Sequence, residues 1–471
     1  MEFKNRYVLY NLQLFDGKTT DLKKNKTVLV EGMKIRAVED GTARRENETI
    51  RAIDLHGYTL MPGLIDLHVH ITVPFMDRVT ARAFFAISNQ IERNARVCIE
   101  AGITTVRDVG GFPGRLSRLR TAITTGDLPG PRIVMCNSAL TTPGGSPDWV
   151  PSFNPLIRSF LGGQYALRAA TPSQAREQVE EMIRLGATWI KLYCQHHSVL
   201  LGGGTLSVFD QETFHAIMET ARRNHRKVCC HITWLKDLAY AMSMGVDTFE
   251  HCPLEEIPGE TAADFASRSM ALIPTLTCLD LGNAVLLSMI EATVSEQGRQ
   301  YLEPEPLRQV KNFISRYRTR PYPPEETAYR REPYFDLSLF KRCFPQVREN
   351  VGRILHSGGR VGVGTNSGGM PTALFGVFYH EELKRLVSCG LTPVQTLMAA
   401  TSGNASILGL DDAIGSVTAG KVADLIAVEG NPLHDLNALK HVRMVIKEGR
   451  FMSGEPEEKA QPVVTKWRRF R

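Results

Sequence analysis

Long apolar runs are missing from this chain. Nowhere do about 18 apolar residues follow one another, and the opening Met1-Glu2-Phe3-Lys4-Asn5-Arg6 begins no apolar leader. A membrane-spanning helix needs a run of that length and a secretory signal needs an apolar core, so a soluble protein with no membrane partner is expected. Charge of one sign is scarce too. The 56 Lys and Arg exceed the 50 Asp and Glu by only 6 in 471 residues. No basic helix or stripe accompanies the excess, so no nucleic-acid partner is expected. The basic, aromatic end Lys466-Trp467-Arg468-Arg469-Phe470-Arg471 reads as a solvated tail rather than a membrane anchor. Cys-x-x-Cys spacing is also absent. The nine cysteines are odd in number, and the adjacent Cys229 and Cys230 cannot easily pair with each other. Cys98 and Cys136 sit in apolar runs like small buried residues. A reduced, cytoplasmic protein fits this usage.

What is present is enough apolar material, 43% of the residues, for a large core and two structural units. Residues 7 to about 60 read as short strands with turns, Tyr7-Val-Leu-Tyr-Asn-Leu and Thr27-Val-Leu-Val-Glu-Gly among them. The same idiom returns at Ala423-Asp-Leu-Ile-Ala-Val and His441-Val-Arg-Met-Val-Ile. The two ends are therefore expected to form one small β-sandwich-like domain. Residues 1–61 and 410–460 would build it, 62–409 would form the central domain, and 461–471 the tail.

Between the ends, strands alternate with helices. Strand patterns begin at Leu64, Thr104, Arg132, Thr188, Lys227, Val246, Ala271 and Arg360. Helical periodicity covers Ser173 to Leu185, Asp210 to Asn224 and Trp234 to Met244. Eight strands with intervening helices imply an α/β fold, a (β/α)8 TIM barrel, whose chemistry sits at the C-terminal strand ends. An insertion at about 279–359 separates the last two strands, too long for one connecting helix. It reads either as surface or oligomer contact, or as a lid whose Arg316, Arg318 and Arg320 meet an anionic group of a substrate.

Candidate chemistry starts in Met61-Pro-Gly-Leu-Ile-Asp-Leu-His-Val-His70. Apolar and polar residues alternate there as in a strand, which puts His68 and His70 on one side. Two imidazoles side by side are half of a tetrahedral metal site. Other strands bring further polar residues to their ends: Lys191, His231, His251 and Asn366.

With these residues in view, the chain resembles the amidohydrolase superfamily, most of all the imidazolonepropionase-related, prolidase-like and ochratoxinase-like hydrolases. The resemblance rests on the stretch above together with Gly102-Ile-Thr-Thr-Val-Arg-Asp-Val-Gly-Gly, Ile190-Lys-Leu, Cys230-His-Ile, Glu250-His-Cys and Gly415-Ser-Val-Thr-Ala-Gly-Lys-Val-Ala-Asp-Leu, in that order. It implies two divalent ions, Zn²⁺ in the first place. His68 and His70 would bind one and His231 and His251 the other. Lys191, carboxylated by CO2, would bridge them as a carbamate. The implied nucleophile is a metal-bridging hydroxide, which two zinc ions make available near neutral pH. Capture of CO2 needs a neutral amine, which burial favours. The resemblance also implies a small-molecule substrate and a homo-oligomer.

Two departures bear on function. The family pattern at the eighth strand is Gly-Thr-Asp-Ser, where the aspartate ligates a metal and takes the proton of the attacking water. Here it is Gly364-Thr365-Asn366-Ser367. An amide cannot act as general base, and the Asn366 oxygen would be a weaker, neutral metal ligand in the place of that aspartate. Asn366 is either a substitution introduced to trap a ligand or a natural residue marking weakened or redirected chemistry. Relatives often carry Gly-Gly-His after the third strand, where this chain has Gly144-Gly145-Ser146. Tyr193, His196 and His197 could supply the missing donor. The expected activity is hydrolysis of an amide in an N-acyl amino acid or a dipeptide-like compound. Two alternatives stand beside it: dehydration, decarboxylation or cyclisation on the same metal barrel, and a pseudoenzyme.

Overall fold

A computed structural model of the chain describes residues 6–41, 50–73, 81–147, 163–199, 203–319, 336–370 and 373–454, and within these the side chains other than those of 81–85 and 316–319. Both ends of the chain meet in one eight-stranded sheet. Strands Arg6–Leu14, Lys23–Glu31, Lys34–Asp40, Arg51–Asp54 and Tyr58–Pro62 come from the N-terminal side, and Leu425–Glu429, Val442–Lys447 and Arg450–Ser453 from the C-terminal side. The seam is the antiparallel pairing of Tyr58–Pro62 with Leu425–Glu429, Met61 opposite Ile426. Leu9, Val28, Leu60, Leu425, Met444 and Ile446 share a buried cluster beneath it.

From this sheet the chain passes straight into the barrel. Only Gly63 separates Pro62 from the strand Leu64–Val69. The Pro-Gly pair reads as a turn in the sequence, but its role is a close crossing. A Cβ on Gly63 would lie 2.2 Å from Thr104 Oγ1, so no larger residue fits.

The barrel strands are Leu64–Val69, Ile103–Asp108, Arg132–Met135 continued by Ala139–Thr141, Trp189–Tyr193, Lys227–His231, Thr248–Glu250, Ala271–Ile273 and Arg360–Val361. Each pairs in parallel with the next, and Val69 bridges in parallel to Ser367 to close the ring. The closure is reinforced by Asp66, whose carboxyl accepts from Thr365 Oγ1 at 2.7 Å and from the backbone of Thr365 and His68. The third strand breaks at Asn137, which takes a left-handed φ of 62°. Beyond the break Lys191 and Leu192 pair with Ala139 and Leu140, so the ring continues. Ile65, Leu67, Val134, Trp189, Cys229 and Ile273 fill the interior below the strand ends.

The helices follow the sequence periodicity closely. Gln211–Arg223 starts where the Asp210 side chain caps the amide of Thr213 at 2.7 Å, and Asn224 ends it. Between the seventh and eighth strands lie Leu276–Leu279, Ala284–Tyr301, Pro304–Thr319 and Leu337–His356. The middle two dock on the first helix, Ala81–Glu100, through the Arg93–Glu303 ion pair and a bond from Gln90 Nε2 to the Tyr301 carbonyl at 3.1 Å. No helix among the described residues is long and apolar enough to cross a membrane.

Candidate metal centre at the barrel rim

The strand ends converge. His68 and His70 leave the first strand with ring centroids 5.4 Å apart. His251 from the sixth strand end stands 4.9 Å from His68, and His231 from the fifth stands 4.6 Å from His251. Lys191, on the fourth strand and only 1% exposed, has its Nζ 5.6 Å from the Tyr193 ring centroid. These residues line one cavity open to solvent, about 680 Å³ including its mouth, together with Asn366, Tyr165, Gln195, Cys278, Phe340 and Met370.

Each imidazole is oriented from behind. His68 Nδ1 lies 2.6 Å from Glu250 Oε2, and a carboxylate there fixes the proton on Nδ1. Its Nε2 is then a lone pair, and that atom is buried without a partner. His70 Nδ1 donates to the Gly110 carbonyl at 2.7 Å. His251 Nδ1 meets Thr275 Oγ1 at 2.6 Å, and His231 Nε2 lies 3.4 Å from Thr233 Oγ1. Glu250 is itself held by Arg107, whose guanidinium reaches Oε1 at 2.6 Å, bonds the Leu67 carbonyl and stacks on Trp189. Arg107 and Glu250 side chains are fully buried.

Burial lowers the proton affinity of all four histidines. His70 is pulled down to about 4, and His68, His231 and His251 fall well below the usual imidazole range. Neutral imidazoles with free lone pairs are what a divalent cation requires. The residues present therefore fit a metal centre held by His68, His70, His231, His251 and Lys191. Backbone strain collects at the same place. His251, Thr275 and Asn366 have φ of 72°, 47° and 58°, the left-handed region that costs non-glycine residues about 1–3 kcal/mol.

Asn366 is 8% exposed and sits beside His70 and His68. Its Nδ2 donates to Cys278 Sγ at 3.1 Å, while Oδ1 has no partner. Gly369 makes room for that oxygen, since a Cβ there would lie 2.1 Å from it.

Of the other residues singled out in the sequence, Tyr193 lines the cavity and its hydroxyl lies 3.2 Å from that of Tyr165. His196 and His197 do not line it. His196 Nδ1 bonds Asp237 at 2.5 Å, and His197 packs edge-on against Trp234. Ser146 does not line it either. It is buried, and its carbonyl accepts from Thr141 Oγ1. Arg316 and Arg318 lie on the helix Pro304–Thr319 with side chains outside the described set, and Arg320 lies outside the described residues, as does the basic tail. Among the described residues the one set of three His, Cys, Asp or Glu whose ligand atoms all lie within 4.8 Å of one another is Cys194, His196 and Asp237. Asp237 there already accepts from His196 Nδ1 and from the backbone amides of His196, Thr233 and Trp234, which makes it a loop fastener.

A closed (β/α)8 barrel with a polar, histidine-rich centre at its C-terminal rim and an added β domain defines a class of barrel enzymes. The chain belongs to the Amidohydrolase family, whose sequence pattern matches residues 59–452, and it is an amidohydrolase. No curated protein matches it. Among solved structures it is similar to a Xaa-Pro dipeptidase with methionine bound in the active site (TM-score 0.72, 23% identity, covering 95% of this chain and 99% of that one). It is similar also to A. niger ochratoxinase (0.72, 19%, 96% and 96%) and to molinate hydrolase (0.71, 18%, 100% and 99%). These likenesses show the fold.

Proposed function

We propose that the protein hydrolyses an amide bond of a small molecule, an N-acyl amino acid or dipeptide-like compound, with a binuclear divalent-metal centre, zinc by preference. The observation that carries this reading is the convergence of four neutral imidazoles on one cavity with the buried, unpartnered Nε2 of His68 facing it. Two divalent ions bound there would supply hydroxide at neutral pH and a Lewis acid for the carbonyl. Lys191 would add CO2 and become a carbamate, contributing the negative charge that four neutral imidazoles lack. No carboxylate lies within ion-pair reach of its Nζ among the described residues to neutralise the free amine.

The chain's own groups would orient the substrate. Burial pushes the Tyr193 hydroxyl up to about 12 and that of Tyr165 well above the usual phenol range, so both remain O–H donors for a substrate oxygen. Val199, Leu279, Phe340 and Met370 form the apolar wall against which an acyl group or side chain would pack. Arg316, Arg318 and Arg320 are the proposed partners of a substrate carboxylate. Nine free cysteines suit a reducing, cytoplasmic setting, and a homo-oligomer, as the resemblance implies, completes the reading.

Asn366 holds no site for a proton, so turnover should be slow. Elemental analysis and a screen of acyl-amino acids and dipeptides test the proposal. About two ions per chain are expected, and Asn366→Asp should raise hydrolysis by about 10²–10⁴-fold. Absence of bound metal after zinc and bicarbonate are supplied would sink it. A metal-loaded Asn366→Asp protein that hydrolyses nothing would instead favour dehydration, decarboxylation or cyclisation on the same centre.

A further inference from the structure

The metal reading leaves one problem of charge and one unused group. The family pattern puts an anionic aspartate at the eighth strand, and this chain has the neutral Asn366. The unused group is Cys278. It lines the same cavity as His68, His70, His251 and Asn366, and it is 4% exposed. Its position is well fixed. It sits in the short helix Leu276–Leu279 immediately after Thr275, the residue that orients His251. The Glu382 carboxylate accepts the amides of Leu276 and Thr277 at 2.8 and 2.7 Å and pins that helix from behind.

Two buried atoms facing the cavity ask for a ligand independently of the cysteine: His68 Nε2 and Asn366 Oδ1, neither with a partner. Cys278 Sγ belongs to the same lining, 3.1 Å from Nδ2 of that Asn366 carboxamide and 3.4 Å from Met370 Sδ. Resting on the reading of this cavity as a metal centre, we infer that the Cys278 thiolate is a ligand of that centre. It supplies the anionic donor that Asn366 does not, and the Asn366 carboxamide serves as its hydrogen-bond donor.

The chemistry is self-consistent. Thiolate is among the preferred ligands of zinc and carries the same single charge as the carboxylate it replaces. Binding transfers the thiol proton to solvent. The two residues also explain each other. A carboxylate at 366 would stand against a thiolate about 3 Å away, like charge facing like, whereas an amide N–H at that distance is a donor to sulfur. Metal-bound groups are ordinarily fastened by such donors, and losing one typically weakens metal binding by about 10–100-fold. Asn366 is then a hydrogen-bonding partner of Cys278, although it still lacks a site for the proton of an attacking water.

X-ray absorption on the unsubstituted, zinc-loaded protein tests this without any variant. One sulfur scatterer at about 2.3 Å from zinc is expected. A shell of nitrogen and oxygen alone, with zinc bound, would overturn the inference and leave the metal reading standing. Failure to bind zinc in the presence of bicarbonate would overturn both. Cobalt loading identifies the sulfur. Wild type and the control Cys343→Ser should show sulfur-to-cobalt charge-transfer absorption, and Cys278→Ser should lose it and bind cobalt less tightly, by at least about 10-fold. Asn366→Asp should weaken the same absorption, because the carboxylate competes for the metal. Persistence of the band at full strength in Cys278→Ser refutes the assignment.

Discussion

Replacing Arg107 by Met should destabilise the barrel strongly, and replacing Glu250 as well should restore most of the loss while leaving the metal centre weak. Arg107 reaches Glu250 Oε1 at 2.6 Å, and Glu250 Oε2 reaches His68 Nδ1 at 2.6 Å, all three side chains at most 1% exposed. Methionine keeps the length of the arginine stem but leaves a carboxylate buried without a cation. Breaking a buried pair from one side costs about 3–5 kcal/mol, or about 10²–10⁴ in the unfolding equilibrium constant. Glu250→Gln alone fails differently. Its carboxamide can accept from His68 or from Arg107 but must turn its NH2 towards the other donor. In the double variant Arg107→Met, Glu250→Gln no charge is stranded, and the amide oxygen is free to accept from His68. Stability should therefore return to within about 1–2 kcal/mol of wild type. Zinc affinity should stay about 10–100-fold down, because a neutral amide polarises the imidazole less than a carboxylate does. Urea unfolding of the metal-free proteins and competition with a chelator give the two quantities separately. If Arg107→Met costs under about 1 kcal/mol, or the double variant is no more stable than the single one, the account of the buried pair is wrong. If the double variant binds zinc as tightly as wild type, Glu250 does not act through His68.

Burial holds His70 down at about 4 instead of the usual 6.5, so the fold disfavours its protonated form. Its contribution to stability is whole above about pH 6.5 and declines as pH falls towards about 4. Metal retained after dialysis should therefore persist through pH 6 and be lost only as pH approaches about 4; release centred near 6.5 would contradict this placing of His70. Alanine at Arg316, Arg318 and Arg320 together should raise KM for a substrate bearing a carboxylate and leave KM for its neutral ester unchanged. Equal KM values for the carboxylate substrate in wild type and triple variant would remove the arginines from the site.

Much of the fold was legible because its signals are local. The strand beginning at Leu64 alternates cleanly, and the helix Gln211–Arg223 opens on a capping Asp210 and closes at Asn224 within one residue of the sequence expectation. The pairing of the two chain ends followed from a repeated idiom, and the ends share one eight-stranded sheet in which Arg51–Asp54 branches off a seven-strand path. The histidines and Lys191 could be gathered because barrel strands present their ends together. Loops obey no such rule. His196 and His197 follow Lys191 by only a few residues, yet the chain turns after Tyr193 and gives His196 to Asp237 and His197 to Trp234. Neighbours in sequence beyond a strand end are poor guides to neighbours in a cavity, and Gln195, whose buried Nε2 has no partner, was passed over for the histidines beside it.

Arg107 and Glu250 carried a signal that alternation alone obscures. Arg107 lies in Ile103-Thr104-Thr105-Val106-Arg107-Asp108 and Glu250 in Thr248-Phe249-Glu250, strands buried at every position. A buried carboxylate can be held by hydroxyl and amide donors alone, as Asp66 is, but a buried guanidinium stays charged, and an isolated buried ion costs far more than a domain's margin of stability. The arginine of the second strand therefore calls for a carboxylate from another strand, and Glu250 of the sixth supplies it at 2.6 Å. The glutamate's position next to His251, a proposed metal ligand, ties the pair to the site. Cys278 follows a different rule. Nothing in Leu276-Thr277-Cys278-Leu279 separates it from a small core residue, and only the loss of a carboxylate at 366, read as a missing charge, gives reason to look for an anion nearby. The polar residues that strands can least tolerate, and the charges a site lacks, locate the chemistry of this barrel better than the count of its histidines.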